Sequence, residues 1–81
     1  MEQHNRQLVL LVGRLIGRHR RQVGLSQETL AEKAGLHPTY ISLVETNKRS
    51  IGIAAAHAVA VALGLKLSDL LAQAERLLKE P

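Results

Sequence analysis

The chain has 81 residues, 46% of them hydrophobic, with no cysteine and a single aromatic residue, Tyr40. Eleven Lys and Arg against seven Asp and Glu leave a formal charge of +4. This length allows one domain over residues 1–81 with an aliphatic core, and the lack of cysteine excludes disulfides, thiolate zinc sites and a Cys nucleophile. The basic balance suits a polyanionic partner, although a solvated basic surface would have the same count.

Five helical segments and no strand are expected. The first runs from Asn5 to Gln22, because Leu8, Val12, Leu15 and Ile16 recur at spacings of three and four, with Val9 and Leu11 widening the stripe. Gly13 and Gly17 interrupt it and weaken a helix by about 1 kcal/mol each relative to Ala. Close packing against a neighbour would justify them. Arg18, His19, Arg20 and Arg21 end the segment and complement the negative end of the helix dipole, so contact with a polyanion is not needed to explain Arg18 or Arg21. Gly24 terminates it.

Residues 27–46 carry the densest signal. Ser26 caps a helix over Gln27–Lys33, with Thr29 at the third position, and Gly35 closes it. The next helix runs from His37 to Thr46, with Pro38 suited to its first turn and Asn47 able to take the left-handed conformation that stops it. Leu30, Ala31, Ala34, Leu36, Ile41 and Val44 are spaced to pack these two helices together, with the small Ala31 at the close crossing. This pattern specifies a helix-turn-helix, whose second helix enters the DNA major groove.

The loop Asn47–Gly52 follows, then a fourth helix over Ile53–Leu63 stopped by Gly64. Ser68 is expected to cap the fifth, 68–79, along which Leu70, Leu71, Ala74, Leu77 and Leu78 recur. Leu70 and Leu71 are assigned to the core. Leu67, Ala74, Leu77 and Leu78 exceed what one small domain buries, as do Leu10 and Leu11, so the fifth helix is the candidate dimer element. The alternative is a terminal helix packed only on its own chain. The run Leu8–Val12 is too short to span a bilayer, and Ile51–Leu65 reads as a buried helix, so no membrane segment and a cytoplasmic location are expected.

The stretch GLSQETLAEKAGLHPTYISLVETNKRS resembles the Cro and phage-repressor type of helix-turn-helix, the XRE family. The resemblance extends upstream through Arg20 and downstream through ALGLKLSDLL, covering roughly residues 8–72. Length and the terminal helix also resemble the small controller proteins of restriction–modification systems, which are single-domain dimers. The resemblance implies an all-α, five-helix, lambda-repressor-like domain that binds double-stranded operator DNA as a homodimer.

It also implies roles. Gln27, at the start of the second helix, would face a phosphate, or else stand as an ordinary exposed first-turn residue. His37, Pro38, Thr39, Ser42 and Leu43 would form the exposed reading face, with Pro38, Thr39 and Leu43 at positions that commonly reach base edges in the family. Here Pro38 and Leu43 replace long hydrogen-bonding side chains, so bidentate base readout is poor. Leu43 is either a thymine-methyl contact or a packing residue. Tyr40 either contacts a phosphate or covers the core edge. Asn47, Lys48, Arg49 and Ser50 would grip phosphates, the alternative being a solvated charged turn. Arg20 and Glu45 match a partly buried ion pair of the phage-repressor branch, the alternative being two exposed charges.

Four histidines, His4, His19, His37 and His57, show no metal-ligand spacing on one helix face, and no metal or cofactor is expected. His19 stands where the family usually has Leu and is expected to be partly buried; His57 reads as helix surface or interface. Asp69 reads as a first-turn residue. No nucleophile–base set or carboxylate pair is visible, which argues against an enzyme. The leading reading is a sequence-specific transcriptional regulator acting as a homodimer on a pseudo-palindromic operator. The competing one is a protein-binding module, such as an antitoxin or adaptor, with weak DNA affinity and an unknown partner protein.

Overall fold

The computed structural model describes residues 2–80, with side chains described from Asn5 onward; Met1, Pro81 and the side chain of His4 lie outside the described residues. Five helices follow in order: α1 (Glu2–Gln22), α2 (Gln27–Ala34), α3 (Pro38–Glu45), α4 (Ile53–Ala62) and α5 (Leu67–Lys79). The architecture is all-α, with no strand among the described residues. Helix α1 begins three residues before the expected Asn5. The shorter α3 has its bounding residues His37 and Thr46 as caps. Helix α4 stops one residue early, with Leu63 as its C-cap.

Local chemistry sets these ends. Ser26 Oγ accepts from the Thr29 amide at 3.0 Å and starts α2. At its far end Gly35 has φ 69°, and the amides of Gly35 and Leu36 bond back to the carbonyls of Glu32 and Ala31. A left-handed residue is needed to fold those two amides over the last turn, and glycine takes it without a Cβ penalty. Ser68 does not cap α5. The helix starts one residue earlier, and Asp69 Oδ2 accepts from the Lys66 amide at 3.0 Å. A carboxylate at the third position reaching back to the cap satisfies a free N–H and favours the positive helix end, so the cap is set from inside the helix.

The core is one aliphatic cluster: Val12, Leu15 and Ile16 from α1, Leu30 and Ala31 from α2, Ile41 and Val44 from α3, Val59 and Ala60 from α4, Leu70 and Ala74 from α5. Burying these side chains is the main favourable term in the fold, about 1.5–3 kcal/mol for each larger aliphatic. Helix α1 is the spine, packing on α3 and α5, while α2 packs on α3 and α4. His19, half-buried, joins α1 to α5 by donating from Nε2 to Gln73 Oε1 at 2.8 Å.

The two glycines of α1 lie where it crosses α3. A Cβ on Gly13 would stand 2.5 Å from the Val44 carbonyl oxygen and 3.2 Å from Val44 Cγ1. One on Gly17 would stand 3.2 Å from the Glu45 carboxyl carbon and 3.1 Å from an Arg21 guanidinium nitrogen. The first obstacle is backbone and cannot swing aside. Gly13→Ala is therefore expected to lower stability in urea unfolding by about 2 kcal/mol through overpacking, although Ala is the better helix former by roughly 1 kcal/mol. Unchanged or raised stability would show that α1 and α3 can separate without loss.

Candidate nucleic-acid interface

Helix α3 has only eight residues, too few to hold its shape alone. Its inner face, Ile41 and Val44, is fully buried. Its C-terminal end is tied to α1 by Arg20, whose Nε donates to Glu45 Oε2 at 2.7 Å and whose second terminal nitrogen donates to Glu45 Oε1 at 3.0 Å. The other terminal nitrogen donates to the Leu25 carbonyl at 2.8 Å. Hydrogen bonding to Glu45 holds the Arg20 guanidinium above its ordinary value against the opposing effect of burial. A planar bidentate pair of this kind fixes orientation as well as distance.

Gln27 enters the same network. Its Nε2 donates to Glu45 Oε1 at 3.0 Å, so the amide expected to face a phosphate is turned onto the ion pair. Both Glu45 oxygens are thereby satisfied, by α1 and α2 together.

The outer face of α3 is differently built. His37 caps it: Nδ1 accepts from the Thr39 amide at 3.2 Å. The neutral ring then carries its proton on Nε2, a free donor at the exposed start of the helix. Thr39 is exposed, while Pro38, Ser42 and Leu43 are half-buried. Among these, Thr39 and Ser42 offer hydroxyls, Leu43 a methyl contact and Pro38 no side-chain hydrogen bond.

The following loop is pinned at both ends. The Leu43 carbonyl accepts from the Lys48 amide at 2.9 Å and the Arg49 amide at 3.2 Å, and Asn47 takes φ 63°, the only non-glycine at positive φ among the described residues. Tyr40 closes the far side. Its hydroxyl accepts from the Gly52 amide at 3.2 Å, and the Arg49 guanidinium lies 5.4 Å from its ring centroid. Tyr40 thus serves the loop and the start of α4, and its ring holds one of the loop cations in place. The side chains of Asn47, Lys48, Arg49 and Ser50 are exposed. Among the described residues the only ion pair is Arg20–Glu45, so both loop cations are unpaired.

The four positions expected to form a dimer face do not act together. Ala74 is fully buried in the core and is corrected to a packing residue. It belongs, with Leu70, to the core cluster that also holds Val12, Leu15 and Ile16 of α1, the helix on which α5 packs. Leu67 lies beside an apolar groove of about 150 Å³ that also takes in Val9, Ile53 and Leu71. Leu71, assigned to the core from sequence, is half-buried there. Leu77 and Leu78 lie near Leu10 and Leu11. Ile53 is 76% exposed and is not singled out by periodicity, although an isoleucine straight after Gly52 at the start of an alanine-rich helix has no partner within its own turn. The Gln27 and Tyr40 bonds had no sequence signal, since each joins residues distant along the chain. No single helix among the described residues is long and apolar enough to cross a membrane.

A sequence model of the helix-turn-helix family matches residues 16–70. An HTH-type transcriptional regulator of Methanothermobacter thermautotrophicus is 42% identical over 50 residues, spanning 62% of this chain and 72% of that protein. Among solved structures, the restriction-modification controller protein C.AhdI from Aeromonas hydrophila is 35% identical with a TM-score of 0.69, covering 78% of this chain and 94% of its own. Wild-type C.Esp1396I, also a restriction-modification controller protein, is 30% identical with a TM-score of 0.75, covering 91% of this chain and 96% of its own.

The half-buried network gives a double-mutant test. Glu45→Ala is expected to cost about 2–3 kcal/mol in chemical denaturation, since Arg20 is left without its carboxylate. Arg20→Leu with Glu45→Leu should cost less than Glu45→Ala alone. A double variant less stable than the single would mean that the pair itself, rather than the unpaired charge, carries the energy.

Proposed function

This chain belongs to the helix-turn-helix family of DNA-binding transcription regulators, and we propose that it acts as a homodimer on a pseudo-palindromic operator. The observation that carries this reading is the contrast across α3. Its inner face and C-terminal end are locked to α1 and α2, while its N-terminal end and the Lys48–Ser50 loop face solvent with unpaired donors. A rigidly held helix with free hydroxyls and two free cations beside it is suited to a groove flanked by phosphates.

Roles follow from the groups available. Lys48, Arg49 and Ser50 grip the backbone. His37, Thr39 and Ser42 supply the hydrogen bonds to base edges, and Leu43 a thymine-methyl contact. Without a long bidentate side chain at Pro38 or Leu43, each half-site is read weakly, and a second copy supplies the missing selectivity. The Ile53–Leu67–Leu71 groove is the face we assign to that copy. It is almost wholly apolar, and Ile53 protrudes beside it. A two-fold contact there would hold two α3 helices about 34 Å apart, one DNA turn. The likeness to restriction-modification controllers supports operators beside such genes as the first to test.

Two measurements check this. Replacing Lys48 and Arg49 by Ala should weaken binding to every duplex and flatten the log–log salt dependence by about 1.8, two phosphate contacts' worth. Thr39→Ala should instead shift preference among sites. An unchanged salt slope would remove the loop from the interface. Ile53→Glu should convert the dimer to monomer in sedimentation, lower operator affinity by at least about tenfold and leave a folded chain whose thermal melt no longer depends on protein concentration. A variant that stays dimeric would place the two-fold elsewhere.

A further inference from the structure

Helix α1 and the flank of α5 enclose a trough that reaches Glu45 and Asn47 but none of the exposed reading positions of α3. Three recesses adjoin along it, of about 400, 380 and 340 Å³, and Leu77 borders all three. Its floor is apolar: Leu11, Leu15 and the 38% exposed Leu77. Its rim is cationic, from Arg14, Arg18 and Arg21, all exposed. None of these arginines has a carboxylate within ion-pair distance among the described residues. Glu45 lies at the base, but both its oxygens are already taken by Arg20 and Gln27. At the far end the lining carries one charge of each sign, Arg76 and Glu80.

We propose that this trough docks an acidic amphipathic helix of a partner protein. Arg14, Arg18 and Arg21 recur at spacings of four and three on one face of α1, a row about 10 Å long. That is two turns of a helix lying alongside, whose carboxylates at the same spacing would meet the three guanidinia. The leucine floor takes the apolar stripe of the same helix, as in helix-in-groove recognition. A DNA backbone would satisfy the arginines but leave Leu77 facing phosphates, so the apolar floor favours a protein. Asn47 borders one end of the trough, but His37, Thr39, Ser42, Lys48 and Arg49 do not line it, which leaves those groups to a duplex while the partner helix is bound, and the regulator recruits another protein to its site.

The probe is a fluorescein-labelled peptide of about 18 residues, with Leu at helical spacing and Glu flanking it, titrated against the full chain by anisotropy. Binding should fall by at least about tenfold for Arg14→Glu with Arg18→Glu, and likewise for Leu77→Asp. The charge-reversed peptide, Lys for Glu, should bind the double arginine variant better than the native chain. Duplex affinity measured in parallel, with Lys48→Ala as the positive control, should stay within about twofold of native. The proposal is overturned if a scrambled peptide of the same composition binds equally, or if the variants leave peptide affinity intact. It is equally overturned if the arginine variants weaken the duplex and not the peptide, since the trough would then be a phosphate contact. Failure of duplex binding by the native chain would count against the regulator reading, and leaves the peptide result to stand by itself.

Discussion

The crossing of α1 over α3 is the constraint on which the rest of the molecule depends. Two glycines, Gly13 and Gly17, remove the side chains that would hold the helices apart, and Val44 and Glu45 fill the space. Contact this close brings the Arg20 fork onto the Glu45 carboxylate, and that pair in turn captures Gln27 of α2. Three helices are therefore fixed relative to one another at one spot. An eight-residue helix cannot hold its own geometry in water, so its rigidity has to come from such contacts. The two glycines lower the intrinsic stability of α1, and the packing they permit is what orients the reading helix.

Rigidity on the inside leaves the outside free to bind. The groups that face solvent on α3 and its loop are small hydroxyls, one histidine and two cations. None is buried, and none is spent on an ion pair. Tyr40 bridges the two regimes, because its backbone is in the helix while its ring and hydroxyl organise Arg49 and Gly52. The loop cations are presented by a fixed frame, which reduces the entropy lost on binding. The reading face contributes little bidentate recognition, so affinity rests heavily on phosphates and selectivity on having two copies.

Much of the fold was legible in the sequence because it is written locally. The caps at Ser26 and Gly35, the proline at the start of α3 and the three-and-four spacing in each helix are properties of neighbours along the chain. The helix-turn-helix and the Arg20–Glu45 pairing were accessible through an ordered resemblance over most of the chain. Features that depend on where distant helices meet were not legible. Ala74 reads as surplus apolar surface on α5, but it is fully buried in the core that α5 shares with α1. Gln27 reads as a free first-turn amide, and only the position of Glu45, eighteen residues on, explains its bond. Ser68 looked the better cap by residue preference; Asp69, reaching back from the third position, won because it satisfies the Lys66 amide. The exposed Ile53 and the arginine-rimmed trough depend on which faces of α4, α5 and α1 remain uncovered, and periodicity alone does not say that.

The central claim is that a rigidly seated α3 reads DNA as one half of a symmetric pair. Selection of bound sites by the purified protein from a pool of random duplexes at moderate salt tests it most directly. The account predicts enrichment of two inverted half-sites with centres about one helical turn apart. Recovery of a pool with no common sequence, bound with the same affinity as the starting duplexes, would contradict it.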